Sequence, residues 1–442
     1  MLDTNPTHDL VIGLDRSDRK ADLHFINTAT GQTNSESLAS SPENLRQWLL
    51  NLRQKYPKAS VGICLEQPAG HLIPFLETYD WITLYPINPI SLQKYRETFV
   101  TSRARDDGKD AQYLAELLAT HRDKLKSWQP QDSQTRLLQQ LVAHRRAVVD
   151  ERTALTNRLQ ALLKAYFPQA LELCGEELWR PLATAFLLKW PTLLAVQQAK
   201  GADLKEFYYL NGSRSQKLIE QRLKLVEQAV PVSHEPALNL SFSLRVKLIC
   251  RQLQDVVTTV KEYEKQIAQC FQQHPDREIF ASLPGAGPVL APRLLAAMGA
   301  ERERFDSAVS LQRYAGIAPV TKQSGKMCYV HRRYLCPKFE RQSFQEFADQ
   351  SVLWSRWAAA YYLSQRSKGK PHSTAVRALA FKWQRIIWRC WQSHTPYKEE
   401  VYEAALRKGG SKLLGLFNQI DLGKNPVKNP AKPPSKTAVK KT

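Results

Sequence analysis

Residues 10–15 read Leu10-Val11-Ile12-Gly13-Leu14-Asp15, an apolar run that stops on a carboxylate. A run so short, bounded by charge, predicts a buried β-strand rather than a helix. Working outward, Ala21 to Asn27 alternates around Leu23 and Phe25, and Gly31-Gln32 marks a turn before a third candidate strand. Leu45 to Tyr56 has helical periodicity, and Ser60 to Leu65 is another buried-type strand. Trp81 to Tyr85 is a further strand, closed by Pro86 and Pro89. The segment 10–90 therefore reads as α/β.

Three strands, a helix, a strand, a helix and a strand is an order similar to that of ribonuclease-H-like sheets. From about residue 111 the period becomes helical. Leu141, Val148, Leu155 and Leu162 recur every seven residues, with Arg145 and Arg152 at intervening seam positions. The second run is cleaner: Phe242, Val246, Ile249, Leu253, Val256, Val260, Tyr263, Ile267 and Cys270 keep a 4-3 spacing, which favours a coiled coil or a long helical hairpin over an ordinary bundle core. Pro168 to Pro236, between the two runs, reads as a helical insertion. Residues 276–415 open with Pro284-Gly285-Ala286-Gly287-Pro288 and continue through helices rich in Trp and Arg, and 416–442 read as a disordered basic tail. The expected segments are thus 1–125 (α/β), 126–277 (helical coiled coil with insertion), 278–415 (mainly helical) and 416–442.

Composition narrows the partners. The 442 residues carry 63 Lys+Arg against 42 Asp+Glu, a net charge of +21, and the 43% hydrophobic fraction excludes a mostly disordered chain. The excess is uneven: residues 1–110 have a net charge of −2, 111–416 of +18 and 417–442 of +5. An acidic first part joined to a basic body suggests metal chemistry in one and the grip of a polyanion in the other. No stretch approaches the ~18–20 apolar residues of a membrane span. The first nine residues carry two acids and no basic run, so no secretory signal is expected. Seven scattered cysteines without a Cys-x-x-Cys pair fit reduced thiols in a cytosol. Nucleic acid is the leading partner, at the cytoplasmic nucleoid.

Four acids form a candidate metal set. Asp15 ends the first strand and Glu66 ends the strand Ser60–Leu65, so the two converge on one sheet edge. Asp107 and Asp110 are spaced i, i+3, on a helical face that continues through Leu114 and Leu117. Two acids on an inward face need a cation to offset repulsion and desolvation, and four carboxylates suit Mg²⁺. A strand-end Asp is also a common turn residue, and Asp107 or Asp110 could cap the helix near Ala111.

The C-terminal part adds a phosphate-binding turn and a nucleophile. Gly285 and Gly287 lie in a Gly-Pro turn before the apolar helix Val289 to Met298, where backbone N–H groups can hold a phosphate. Leu311-Gln312-Arg313-Tyr314-Ala315-Gly316-Ile317-Ala318-Pro319 leads into Gln323-Ser324-Gly325-Lys326. Ser324 in a polar loop is ordinarily only a loop serine. With Lys322, Lys326, Arg332, Arg333 and Arg341 nearby in sequence, its hydroxyl could attack phosphorus.

Asp15, Glu66 and Asp107-x-x-Asp110-Ala111 resemble the DEDD quartet of the insertion-sequence-110 transposases. The segments Leu283 to Pro288, Tyr314 to Pro319 and Gln323-Ser324-Gly325 resemble the same family's C-terminal domain. The resemblance covers about residues 8–122 and 278–395. It implies a RuvC-like domain, a dimerising coiled coil and a transposase domain whose serine attacks DNA. It further implies a structured bridge RNA pairing with donor and target DNA, and a composite site in a homodimer or tetramer. By position, Asp15, Glu66, Asp107 and Asp110 would hold Mg²⁺, and Ser324 would form a 5′-phosphoserine link. Where many members carry Gly-Asn after the basic stretch, this chain has Cys336-Pro337-Lys338.

Other features have blander readings. Cys328, His331 and Cys336 offer zinc-type ligands at irregular spacing with no fourth. Lys382, Arg385 and Arg389 form a helical stripe opposite an apolar one and suit phosphate or RNA contact. Trp354, Trp357, Tyr361 and Tyr362 read as core rather than base-stacking platforms, and His372 as a helix-start residue. Two further functions stay open: a RuvC-like nuclease in which water attacks phosphorus, and a coiled-coil nucleic-acid-binding protein with structural acids.

Overall fold

A computed structural model describes residues 8–66, 72–99, 107–325 and 327–420, with the side chains of 107, 108, 418 and 419 outside the description. Lys326 and residues 421–442 therefore lie outside the described residues. Residues 416–420, expected in the basic tail, instead belong to a short 3-10 helix, Lys412–Gln419, and its end, held in place because Phe417 is buried in the C-terminal core with Leu416 and Ile420 packed against it. The chain divides into two compact units, Met1–Pro130 and Gln131–Thr442.

In the first unit the strands are β1 (Leu10–Arg16), β2 (Lys20–Asn27), β3 (Thr33–Ala39), β4 (Val61–Glu66) and β5 (Ile82–Ile87). Among the described residues they pair in the order β3-β2-β1-β4-β5. The hairpin strands β1, β2 and β3 are antiparallel neighbours, whereas β4 runs parallel to β1 and β5 parallel to β4. The parallel pairs need crossovers, and helix α1 (Pro42–Lys55) makes the first. It starts three residues ahead of its apolar stripe because Ser41 accepts from the Asn44 N–H and Pro42 suits the first turn. Helix α2 (Leu72–Leu76) leads into β5. That strand runs through Pro86 rather than stopping at it, which is tolerated because β5 is a sheet edge. Helices α3 (Pro89–Phe99) and α4 (Asp107–His121) follow. This mixed sheet with flanking helices is RuvC-like.

One face of the sheet buries Leu10, Ile12 and Leu14 with Leu45 and Leu49 of α1. The other buries Val11, Cys64 and Tyr85 under Leu114, Ala115 and Leu118 of α4. Gly13 sets how close α4 comes. A Cβ there would lie 1.9 Å from the Ala111 carbonyl oxygen and 2.5 Å from the Ala115 nitrogen, so only glycine lets the helix rest on β1.

The second unit is built on two long helices, α5 (Ser133–Tyr166) and, after the insertion, a partner Pro236–Gln273. Gln134 bonds the Cys270 carbonyl, Arg145 pairs with Glu264, and Tyr166 stacks on Phe242 at 4.9 Å. The two heptad runs thus close an antiparallel hairpin within one chain. On α5 the buried positions are Leu138, Val142, Leu159 and Leu163, while Leu141, Leu155 and Leu162 are only partly buried. The seam lies one residue away from the strict heptad because half-buried Arg145 and Arg152 must reach Glu264 and the Trp179 ring. The insertion carries α6 (Ala170–Cys174), α7 (Pro181–Lys189), α8 (Leu193–Gln197), α9 (Gly201–Leu210) and α10 (Gln216–Gln228), before the second long helix, α11 (Pro236–Gln273). Its helices share an apolar core with the distal ends of α5 and α11.

The root of the hairpin joins the C-terminal helices in a second core. These are α12 (Arg277–Ala281), α13 (Gly287–Met298), α14 (Ala308–Tyr314), α15 (Lys338–Ser351), α16 (Arg356–Ser367), α17 (His372–Gln392) and α18 (Glu399–Lys408). Between α14 and α15 a ribbon forms from β6 (Val320–Ser324) and β7 (Met327–His331). His372 does start α17, where Tyr362 and its ring nitrogen are 3.0 Å apart. Among the described residues no helix is long and apolar enough to cross a membrane.

Candidate functional site

Leu14 of β1 pairs with Leu65 of the parallel β4, so Asp15 and Glu66, one step further, emerge at the same end and on the same face. That face is the one α4 covers, since Val11 and Cys64 alternate with them towards α4. Because the helix crosses Gly13 at Ala111, its first turn, with Asp107 and Asp110, lies at the Asp15 end of the strand. The structure thus brings Asp15, Glu66 and the start of α4 to one corner. The Asp107 side chain lies outside the described residues. Asp110 is clasped by Arg96 of α3, whose Nη1 donates to both carboxylate oxygens at 3.0 Å.

Sequence reasoning missed Asp22. It is the cross-strand partner of Asp15 on β2, is only 8% exposed, and pairs with Lys20 at 3.0 Å. Like charges opposite one another repel, and the Lys20 ammonium offsets that repulsion. The signal was available in the alternation of Ala21 to Asn27, which puts Asp22 on the face opposite Leu23 and Phe25. Among the described residues no three His, Cys, Asp or Glu side chains gather as a metal set. Asp15 and Glu66 are oxygen ligands of the kind that Mg²⁺ takes, whereas Arg96 already occupies one acceptor site on each Asp110 oxygen.

In the second unit Ser324 ends β6 at the tip of the ribbon, opposite Met327, with Gly325 in the turn at φ +54°. Ser324 is solvent-exposed. Alternation along β6 places it on one face with Lys322, whose cross-strand partner is Tyr329. Nearly every residue of the ribbon is exposed on both faces, Tyr329 by 64%. A bare two-stranded ribbon is marginal alone, so this one suits a surface that is covered in use. Arg332, Arg333 and Arg341 follow its second strand.

Gly285 (φ +79°) and Gly287 (φ +54°) flank the start of α13. The Gly285 turn presses on Trp354, which corrects the expectation for that residue: its indole is 61% exposed, whereas Trp357 and Tyr362 are core as expected. On α17, Lys382 lies over the Tyr361 ring at 4.8 Å, and burial together with Arg385 holds its ammonium below the usual range. Arg385 and Arg389 are exposed on the same stripe. Cys336 is not arranged with Cys328 and His331 as a zinc set, since its Sγ packs where a Gly316 Cβ would be and accepts from Arg341 at 3.4 Å.

Two family models match the chain in order. Residues 12–168 match a DEDD transposase model, and residues 277–363 match the model described as transposase IS116/IS110/IS902 family. The chain belongs to that transposase family. The IS117 mini-circle protein of Streptomyces coelicolor, named as a transposase, is 27% identical to this family member over 398 residues, covering 88% of this chain and 95% of the relative. The 43.6 kDa protein of insertion element IS110 from the same organism is 26% identical over 412 residues, covering 91% and 98%. The IS900 protein of Mycobacterium paratuberculosis is 26% identical over 306 residues, covering 68% and 75%. The first model spans the carboxylate corner and the second spans Ser324, so both parts of the candidate site fall inside matched regions.

Proposed function

We propose that this transposase is an RNA-guided DNA recombinase that moves an insertion sequence through a serine–DNA intermediate. The observation that carries the reading is the exposure of Ser324 at a ribbon tip, on one strand face with Lys322 and within a transposase-matched segment. In the first step the Ser324 Oγ attacks a backbone phosphorus. The bond from phosphorus to the 3′ oxygen breaks, leaving a 5′-phosphoserine link and a free 3′ hydroxyl. The hydroxyl proton leaves Oγ as the new bond forms, and the departing 3′ oxygen takes up a proton. In the second step the 3′ hydroxyl of another strand attacks that phosphorus, and Ser324 is released. Asp15, Glu66, Asp107 and Asp110 would hold Mg²⁺, which supplies positive charge to the phosphate when bound. Lys322, Lys326, Arg332, Arg333 and Arg341, with the turn at Gly285 and Gly287 and the stripe Lys382, Arg385 and Arg389, grip phosphates of donor DNA, target DNA and guide RNA. The acting form is a homodimer or tetramer.

One gel assay tests the reading. With cognate DNA and RNA, the protein should give a DNA adduct that survives denaturation, and Ser324→Ala should abolish it. Cleavage without an adduct would point to a nuclease using water, and binding without cleavage to a non-catalytic protein.

A further inference from the structure

The foot of the ribbon gathers arginines from three separate elements. Arg332 follows β7, Arg341 is in the first turn of α15, and Arg377 is on α17. Gly316 anchors this foot: a Cβ there would lie 2.1 Å from Cys336 Sγ and 3.7 Å from Arg341 Cδ, so the Tyr-Ala-Gly-Ile-Ala-Pro turn can pass under the segment only with glycine. Cys336 in turn accepts from Arg341, which fixes the guanidinium beside the ribbon. Arg332 stacks over Tyr334 at 4.8 Å, and that ring is 66% exposed. None of the three arginines makes an ion pair among the described residues. The acid next to Arg341, Glu340, instead accepts from the Tyr314 hydroxyl at 3.4 Å. Arg377 Nε is buried without a partner. Burial first, then the charges of Arg332 and Arg341, hold the Arg377 guanidinium below its usual range. Bringing three like charges together without an acid costs stability in the free protein, and a bound anion relieves that cost.

We propose that Arg332, Arg341 and Arg377 form a phosphodiester site at the foot of the ribbon, taking a backbone phosphate of the DNA presented to Ser324. The proposal rests on the reading of the chain as a DNA recombinase and adds a positioning residue, Arg377, that lies far from the ribbon in sequence. Guanidinium forks match phosphate oxygens, and the exposed Tyr334 ring beside them offers a surface for a sugar or base. From Val320 to Ser324 the ribbon rises about 13 Å. A duplex lying along it would therefore place the held phosphate about four base pairs from the attacked bond.

The test is the salt dependence of binding to a random-sequence DNA duplex. Arg377→Met keeps the aliphatic stem and removes the charge. It should lower the slope of log affinity against log salt by about 0.9, the value for one phosphate contact on duplex DNA. Arg332→Gln should do the same, and the double variant should lose little more, because one phosphate is shared. At low salt the unfolding temperature of Arg377→Met should stay level or rise. An unchanged slope, or a lowered unfolding temperature with unchanged binding, overturns the proposal. So does a slope loss confined to single-stranded RNA. Inorganic phosphate at constant ionic strength should displace the duplex equally from wild type and variant, and selective displacement from wild type would mark a free-anion pocket instead. If Arg377→Met fails to fold, the exposed Arg332 carries the same measurement. Scoring the Ser324 adduct in parallel separates the two readings. A changed slope without adduct leaves the phosphate site standing and removes the recombinase, whereas an adduct with unchanged slope does the reverse.

Discussion

Substituting Gly13→Ala should disable the carboxylate corner from beneath. The new methyl would lie 1.9 Å from the Ala111 carbonyl oxygen and 2.5 Å from the Ala115 nitrogen, both main-chain atoms of α4 that cannot rotate away. Restoring an ordinary 3.4 Å separation needs α4 to retreat by about 1.5 Å. Overpacking of this kind costs about 1–3 kcal/mol, and the rigid backbone on both sides puts this case near the top of that range. For a unit of this size about 3 kcal/mol lowers the unfolding temperature by roughly 10 °C. Displacing the first turn of α4 by more than 1 Å from Asp15 should also lower DNA cleavage by about 100-fold. Scanning calorimetry and a cleavage assay read the two effects. Gly201→Ala is the control: it meets open space at the start of a helix, and its transition should stay level or rise slightly. A Gly13→Ala protein that melts and cleaves like wild type would refute the packing of α4 on β1.

Four further outcomes follow from named contacts. Ser324→Ala should leave the unfolding temperature within a degree of wild type while removing the adduct, because its side chain is exposed; calorimetry and the denaturing gel report both. Asp107→Asn should spare nucleic-acid binding and stop strand transfer, and an unfolded variant would instead mark the acid as a helix cap. Arg96→Met should free Asp110 and lower the Mg²⁺ concentration needed for half-maximal cleavage; a raised requirement would show that the pair orients the carboxylate for its task. His8, between Ser60 Oγ at 3.0 Å and Tyr85 Oη at 2.9 Å, is held at about 4 by burial and then by Arg122. Its folded value lies below the unfolded one, so its contribution is complete above about pH 6.5 and lost as pH falls towards 4. His8→Gln should flatten that part of the stability–pH curve.

Much of the fold was legible because its causes are local. Alternation at Leu23 and Phe25, the cap at Ser41 and Pro42, and the 4-3 spacing from Phe242 to Cys270 each act over a few residues. The departures came where a local rule met a distant constraint. Pro86 ends a strand only where a neighbour needs its N–H, and its edge strand has a single neighbour, so the missing N–H is tolerated on the open side. The strict heptad on α5 shifted by a residue because two arginines had to reach partners on other elements. Trp354 has the composition of a core residue, yet the turn at Gly285 left it at the surface.

The sequence by itself determined the element types, the acidic start and basic body, and the chemical candidates Asp15, Glu66, Asp107, Asp110 and Ser324, since these depend on residue identity and short-range periodicity. Only the tertiary structure decided that Asp22 faces Asp15, that Arg96 holds Asp110, and that Arg377 joins Arg332 and Arg341. Those juxtapositions come from strand register and helix packing. Both are set by how the whole chain closes its core, and no window along the chain encodes them.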